Sequence, residues 1–299
     1  GQTPAQVPAG TIWYLTIAGA PDPLADGGSG ILLSTDGTNW SSALVLTFDT
    51  TAAAGSATDW NRTVTIHVKA SSGAVVKGDQ TIEIMSSVYS TTPISTGIAG
   101  FADVAISDVD VHVIDGDLPG LIAGVPPTGL NVVEGSSSVV GSYTLALTTA
   151  PAPGETVTVM ISSADPRLLF TTSLSTAATT GELQFTLSNW NVAQTVTITA
   201  VDDGAVEGEK IDTITATVTS SEPSGGVYSN GVVDNPTEQI NVYDGDSGGV
   251  LVLPSTGTLV VGPGHPGSYT IQLTRAPATG DSVTVTILSD GKTLVSSAD

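Results

Sequence analysis

Residues 195–201 read Thr-Val-Thr-Ile-Thr-Ala-Val, so threonine and apolar side chains alternate along the whole stretch. A period of two residues is that of a half-buried strand, because successive side chains point to opposite faces of a sheet. The same alternation recurs at residues 63–68, 213–218 and 282–287, and 34 glycines and 17 prolines supply turn residues between such runs. The pattern predicts an all-β chain of Ig-like antiparallel β-sandwiches with Greek-key connections.

The alternating stretch belongs to a module that occurs more than once. Asp-Trp-Asn, VVKGD and VIDGD in residues 59–117 return as Asn-Trp-Asn, AVEGE and VYDGD in residues 189–246. Trp60 and Trp190 lie 130 positions apart (190 − 60), and self-similarity at a fixed period indicates a tandem array. We therefore predict modules over residues 1–117, 118–246 and 247–299.

A tyrosine-containing strand followed by Ala-Pro aligns the three copies at Tyr14, Tyr143 and Tyr269. On this alignment the first module lacks most of its opening strand, the second is complete, and the third holds a first half. A half sandwich exposes a sheet face and unpaired strand edges. Two interpretations remain open: the chain is cut from a longer protein, or neighbouring molecules complete one another by strand exchange.

The charge balance excludes one class of partner. Asp and Glu number 29 against 7 Lys and Arg, which gives a formal net charge of −22 and repels phosphate backbones and anionic membranes.

No apolar run approaches the roughly 18 residues that a membrane helix needs. The chain has no cysteine, so disulfides and thiolate metal sites are excluded. We expect an extracellular or cell-surface protein that neither binds nucleic acid nor inserts into a membrane.

Carboxylates gather in the loop that follows the opening stretch. Residues 202–209 read Asp-Asp-Gly-Ala-Val-Glu-Gly-Glu, while Asp244 and Asp246 stand at the end of the second module and Glu134 near its start. Clustered carboxylates repel one another unless they are solvated or bridged by a cation. Ca²⁺ accepts six to eight oxygen ligands on flexible loops, whereas Mg²⁺ keeps more of its waters. The loops therefore predict a calcium site in the second module.

The sequence resembles the Calx-beta family at three places: Val133-Glu134-Gly135, residues 201–209 and residues 242–246. Members of that family are calcium-binding sandwiches found in sodium/calcium exchangers, integrin beta-4 and large bacterial surface proteins. The resemblance covers the middle copy fully and the others in part. Gly245 departs from the more continuous acidic end of the metal-binding members. The alternative is a solvated acidic turn without an ion. The calcium ligands that the resemblance implies are Glu134, Asp202, Asp203, Glu207, Asp244 and Asp246, with Glu209 and Asp165 as further candidates.

The first copy offers an internal comparison for this site. Its equivalent loop, residues 70–79, carries serines where the second copy has its Asp pair, and Lys77 where the second copy has Glu207. A cation there would meet a positive side chain, so we predict no metal in the first copy.

One motif suggests catalysis but stands alone. Residues 245–249 read Gly-Asp-Ser-Gly-Gly, the nucleophile motif of chymotrypsin-like proteases. A serine nucleophile needs an imidazole base and an orienting carboxylate within hydrogen-bond reach. His67, His112 and His265 are isolated in sequence, and the motif falls on a module junction. We predict a Gly-rich linker and no enzyme activity.

Repetition without a catalytic constellation favours a structural protein. We expect tandem sandwiches that form part of a surface layer, filament or stalk and assemble with copies of themselves or with neighbouring modules. The alternative is an adhesin that binds a glycan or protein receptor, for which Trp13 and Trp40, absent from the other copies, are the candidate contacts. Trp60 and Trp190 recur and are expected in the core or at the sandwich edge. Accessory repeats of an enzyme located elsewhere in a longer chain remain a third class.

Overall fold

A computed structural model of the chain confirms the all-β prediction. The described residues form 17 strands and no helix, and no helix among them is long and apolar enough to cross a membrane. The chain divides into two compact units, residues 1–117 and residues 118–299. The residues that the structure describes are 11–21, 30–71, 79–90, 106–222, 224–230, 232, 235–255, 259, 261, 266–289, 291 and 293–296.

The first unit contains a four-stranded and a two-stranded sheet, both antiparallel. Its strands are β1 (Ile12–Gly19), β2 (Ile31–Ser34), β3 (Ala43–Asp49), β4 (His67–Ala70), β5 (Gln80–Ser90) and β6 (Val109–Val113). The larger sheet has the order β3-β1-β5-β6, and β2 pairs with β4. Alternate residues of these strands, among them Ile17, Leu33 and Ile82, form a buried apolar cluster. The two-residue period of the sequence thus sets which side chains enter the core.

The second unit contains a complete sandwich of nine strands. These are β7 (Leu121–Gly124), β8 (Leu130–Val133), β9 (Gly141–Leu147), β10 (Val157–Ser163), β11 (Leu168–Thr171), β12 (Thr180–Phe185), β13 (Gln194–Ala200), β14 (Lys210–Ser220) and β15 (Glu238–Tyr243). One sheet has the order β12-β10-β14-β15-β8 and the other β11-β13-β9-β7. All pairs are antiparallel except β15 with β8. Val196 and Ile198 of the alternating stretch are fully buried, as the sequence predicts.

A separate hairpin follows this sandwich. It consists of β16 (Val250–Pro254) and β17 (Tyr269–Leu273), which pair antiparallel. The predicted strand at residues 282–287 is wrong, because the structure assigns none there and leaves Val283 and Ile287 about half exposed. The strand predicted at 63–68 is only partly right, since β4 begins at His67. Alternation makes a strand only where a neighbour offers ladder hydrogen bonds, and the described residues place no ladder partner beside 63–66 or 282–287.

Strand pairing corrects the alignment of the first copy. Leu15 of β1 lies opposite Val88 of β5, and Val159 of β10 lies opposite Val218 of β14. Because Val88 and Val218 are repeat equivalents 130 positions apart (218 − 88), β1 corresponds to β10. The alignment of Tyr14 with Tyr143 of β9 is therefore wrong. Both strands combine apolar alternation with a following turn, so local sequence does not separate them. Within the described residues, the first unit has no counterpart of β7, β8 or β9.

The burial of the tryptophans agrees only in part with the sequence prediction. Trp190 packs against the core of the second unit, as expected for a recurring position. Its equivalent Trp60 is 43% exposed, and Trp13, expected to be available to partners, is only 6% exposed. Trp13 occupies an inward-facing position of β1, so strand alternation buries it.

A buried carboxylate fixes one end of the complete sandwich. Glu155 is 1% exposed. It accepts hydrogen bonds from the Ser220 hydroxyl (2.7 Å) and from the backbone N–H groups of Ala152 (2.8 Å), Val227 (2.9 Å) and Tyr228 (2.9 Å). Burial alone raises the pKa of the Glu155 carboxyl, but these four hydrogen bonds outweigh burial and lower its pKa. The ionised carboxylate therefore ties residues 227–228 to the turn before β10.

We expect Glu155→Gln to lower the free energy of unfolding by about 2–3 kcal/mol at pH 7, because an amide nitrogen would face donors that need an acceptor. A lowered pKa contributes stability above the unfolded-state value of about 4.3, and this contribution is lost as pH falls through the folded-state pKa. The difference between wild type and variant should therefore shrink below about pH 4. Urea unfolding at several pH values measures it. The exposed Glu222→Gln is the control, and equal losses in both variants would contradict the assignment.

Candidate functional site

Three chain segments leave the complete sandwich at one end. Because β8 and β15 run parallel with Val133 opposite Tyr243, Glu134 and Asp244 emerge side by side from the same edge. Glu134 donates its backbone N–H to the Tyr243 carbonyl (3.0 Å), and Gly135 donates to the Ala200 carbonyl (2.9 Å). Ala200 is the last residue of β13, so the loop at residues 201–209 begins here too. Backbone pairing thus gathers the acidic segments that lie far apart in sequence.

Two glycines allow this close convergence. A Cβ atom at Gly245 would lie 2.4 Å from the backbone oxygen of Glu134, a distance that side chains do not tolerate. Gly135 has a φ of 68°, and a Cβ atom there would stand 3.0 Å from the Asp202 Cβ. Gly245, which interrupts the acidic end of the module, is therefore required by the packing of the loops.

The Asp244 carboxylate accepts hydrogen bonds mainly from backbone N–H groups. Its Oδ1 accepts hydrogen bonds from the N–H groups of Asp246 (2.6 Å) and Ser247 (3.1 Å). Its Oδ2 accepts from the N–H groups of Glu207 and Gly208 (both 3.1 Å) and from the Ser247 hydroxyl (3.0 Å). The N–H of Gly208 is the largest cause that lowers the pKa of Asp244 to about 2. Asp244 therefore joins the loop at 201–209 to the segment that leaves the module.

Arg167 places a guanidinium among the gathered carboxylates. Its Nη1 donates to Glu134 Oε1 (2.6 Å), to Asp203 Oδ2 (3.2 Å) and to Glu207 Oε2. Its Nε and Nη2 hold Asp165 in a bidentate pair, with a shortest distance of 2.6 Å. The side chain is only 13% exposed. Hydrogen bonds to Asp165 are the main cause that raises the pKa of Arg167, so it stays charged. Arg167 therefore supplies positive charge where the sequence predicts a bound cation.

The compensation that Arg167 provides is incomplete. Burial is the main cause that raises the pKa of the Glu134 carboxyl and also of the Asp246 carboxyl, where the neighbouring Asp202 adds to it. Within the part of the chain that the structure describes, the buried atoms Glu134 Oε2 and Asp246 Oδ2 have no hydrogen-bond partner. One oxygen each from Glu134, Asp203 and Asp246 lie within 4.8 Å of one another. Carboxylate oxygens at this spacing are close enough to share one cation.

The predicted site residues thus fall into three groups. Glu134, Asp203 and Asp246 present oxygens to one position, and Asp202 contacts Asp246 at its side. Glu207 pairs with Arg167 and, at 3.1 Å, with Lys210. Asp165 pairs with Arg167, and Asp244 accepts hydrogen bonds from the backbone. The charge of Glu209 adds to burial in raising the pKa of Tyr243. That these residues bind calcium stays a prediction. The prediction that the first copy binds no metal rests on residues 70–79, of which 72–78 lie outside the described residues.

Sequence reasoning missed Arg167. The sequence held a weak indication of its role. Arg167 is one of only seven Lys and Arg residues, and it stands two positions after Asp165. The link to Glu134, 33 positions away, depends on the sandwich fold and is invisible in local sequence.

Ser247 of the protease-like motif is held by hydrogen bonds to Asp244 and Thr274. Its hydroxyl donates to Asp244, and its carbonyl accepts from the Thr274 hydroxyl (2.9 Å). Among the described residues no hydrogen bond joins Ser247 to a histidine. The absence of enzyme activity remains a prediction.

Comparison with known proteins gives no identity for the chain. No protein-family model matches the chain. No curated protein matches it either. Solved structures with related folds include the CooA pilin subunit of enterotoxigenic Escherichia coli, at 11% identity and a TM-score of 0.26, with 42% of this chain and 97% of the pilin covered.

Two further structures are similar at the same low level. The region CBD12 of CALX1.2 is 13% identical with a TM-score of 0.22, over 78% of this chain and 86% of that one. The periplasmic chaperone SfaE is 12% identical with a TM-score of 0.24, over 42% of this chain and 56% of SfaE, so the chain spans little more than half of that protein. Similarity this low carries no argument about function.

We expect Arg167→Gln to lower the free energy of unfolding of the second unit by about 3 kcal/mol in calcium-free buffer, because it leaves half-buried carboxylates without a counter-charge. Lys210→Gln is the matched control, since Lys210 is 44% exposed and its ammonium pairs with Glu207 of the same cluster. That variant should lose less than about 1 kcal/mol. Urea unfolding followed by circular dichroism compares the two, and equal stabilities would show that Arg167 is a surface ion pair.

Proposed function

We propose that the chain is a non-enzymatic extracellular structural protein, built of tandem β-sandwich modules, that forms part of a surface layer, filament or stalk. The observation that carries the proposal is the fixed connection between the complete sandwich and the hairpin β16–β17. A structural array needs successive modules to hold a defined geometry, so connections with their own packing and hydrogen bonds support such a role.

The connection is short and held on both sides. Between Tyr243 and Val250, the chain is anchored by the hydrogen bonds of Asp244. Val133, Val139 and Leu251 form a buried apolar cluster that spans the sandwich and the hairpin. Polar contacts flank this cluster: Gln272 donates to the Ser138 hydroxyl oxygen (2.7 Å), and Arg275 donates to the Asp246 carbonyl. Packing of this kind restricts rotation about the Gly248-Gly249 linker.

Calcium fits the acidic cluster beside this connection. Carboxylate oxygens are the preferred ligands of Ca²⁺, and the buried Glu134 Oε2 and Asp246 Oδ2 accept no hydrogen bond from any described residue. In the proposal Glu134, Asp202, Asp203 and Asp246 hold the ion, Glu207 and Arg167 border it, and Asp244 shapes the loops. A bound ion supplies two positive charges that offset the repulsion among these groups. Since Asp246 and Arg275 are linked, the ion would stiffen the connection to β16.

The adhesin alternative has less support from its candidate residues. Trp13 is buried, and the ring of Trp40 is covered by the Lys69 ammonium at 4.3 Å from the ring centroid. Trp13 therefore offers no open aromatic face to a glycan, and one face of Trp40 already has a cationic partner. Tyr89, at 67% exposed, is the more accessible aromatic residue of the first unit.

Electron microscopy of the purified chain, with calcium and with a chelator, tests the proposal. We expect ordered polymers or sheets in calcium and less ordered assemblies in chelator, because the ion stiffens the connection. Isolated particles under all conditions would contradict the structural role.

The variant Asp246→Asn separates calcium from assembly. It removes a ligand, so its assemblies in calcium should match those of the wild type in chelator. Asp110→Asn is the control, since Asp110 is an exposed carboxylate of the first unit. Polymers that are identical in every sample would contradict calcium binding and leave the structural role standing.

A further inference from the structure

Glu134 is the buried member of the acidic cluster, and its two carboxylate oxygens differ in their partners. Only 4% of Glu134 is exposed. Its Oε1 accepts a hydrogen bond from Arg167 Nη1 at 2.6 Å, whereas its Oε2 accepts none from the residues that the structure describes. One Glu134 oxygen lies within 4.8 Å of oxygens of Asp203 and Asp246. Because a buried charge needs compensation, Glu134 can take a cation in addition to the guanidinium.

The Arg167 guanidinium uses oxygens that a calcium ion would also use. Its Nη1 donates to Glu134 Oε1 and, at 3.2 Å, to Asp203 Oδ2. The other oxygen of Asp203 accepts a hydrogen bond from the Ala205 N–H at 3.0 Å. Calcium takes six to eight oxygen ligands, so it draws on the same carboxylates. Two positive groups that need the same oxygens also repel each other at this distance, and a half-buried position screens them poorly.

Asp165 holds the guanidinium beside the cluster independently of these contacts. The Arg167 Nε donates to both Asp165 oxygens at 3.0 and 3.1 Å, and Nη2 donates to Oδ2 at 2.6 Å. None of these bonds uses Nη1, the nitrogen that contacts Glu134 and Asp203. Arg167 therefore keeps a carboxylate partner when the bonds of Nη1 are lost. A group tethered in this way acts at a high effective concentration.

We infer that Arg167 is a tethered competitor of calcium, which occupies oxygens of Glu134 and Asp203 in the calcium-free chain and releases them when the ion binds. The guanidinium weakens calcium binding, and in return it holds the loops together when calcium is absent. The inference rests on the proposed calcium site and specifies what sets its affinity. We expect a wild-type dissociation constant of about 0.1–1 mM, the range of extracellular calcium modules.

Calorimetric titration of the full chain with calcium chloride tests the competition. Arg167→Gln removes the positive charge and keeps a polar side chain. We expect its dissociation constant for calcium to be about tenfold lower than that of the wild type, because a like charge beside the ion is gone. Arg167→Lys keeps the charge and should stay within about threefold of the wild type. Lys210→Gln is the control, since it removes a charge that is 44% exposed, and it should also stay within about threefold.

Urea unfolding over a series of calcium concentrations gives a second readout, which also serves if Arg167→Gln folds only with calcium. A ligand that binds the folded state stabilises it more as its concentration exceeds the dissociation constant. The same calcium concentration should therefore raise the unfolding midpoint of Arg167→Gln more than that of the wild type. A purely structural role of Arg167 would leave the gain from calcium equal in the two proteins.

The possible results separate this inference from the proposed function. A dissociation constant of Arg167→Gln that equals or exceeds that of the wild type would overturn the competition and leave the calcium site standing. A decrease for Arg167→Lys as large as that for Arg167→Gln would overturn it too, because charge would then not be the cause. Absence of calcium binding in the wild type and in all variants would reject the calcium site and the inference together.

Discussion

The end of the complete sandwich depends on the interaction of one guanidinium with four carboxylates. Parallel pairing of β8 with β15 forces Glu134 and Asp244 out at one edge, and the loop after β13 adds Asp203 and Glu207. Like charges held this close in a half-buried position repel strongly, and water reaches them only in part. Arg167 satisfies Glu134, Asp203 and Glu207 through a single nitrogen while its other nitrogens hold Asp165. The convergence of the loops is therefore tied to a positive charge at this position.

The same end of the module also holds the segment that leads to β16. Asp244 joins the loop at 207–208 to the exit segment, so the position of β16 is coupled to the loops around Arg167. Gly245 fits against the Glu134 backbone where no side chain could, which explains why the acidic run is interrupted there. Glu134 and Asp246, whose buried Oε2 and Oδ2 atoms have no hydrogen-bond partner among the described residues, belong to the two segments that meet here. A cation bound there would act on charge compensation and on the module connection together.

Of the alternating stretches that predicted strands, only those with a neighbouring strand in the fold form one along most of their length. The alternation at 195–201 predicted β13 with its correct inward face, but the same alternation at 63–66 and 282–287 gave no strand, because a ladder partner is a property of the tertiary structure. The acidic residues of the loop at 202–209 and of the segment at 244–246 could be recognised as one candidate metal site, since each segment flanks a strand. Arg167 was not, because its partners Glu134 and Glu207 lie 33 and 40 positions away. The alignment of Tyr14 with Tyr143 failed since β9 and β10 share one local pattern.

A double-mutant cycle between Arg167 and Glu134 measures the central interaction most directly. The free energies of unfolding of Arg167→Gln, Glu134→Gln and the double variant are compared with that of the wild type in calcium-free buffer. The account predicts a coupling energy of about 2–3 kcal/mol, because removing Glu134 relieves part of the repulsion that the loss of Arg167 leaves behind. Effects that add to within about 0.5 kcal/mol would contradict it, since the two side chains would then contribute independently.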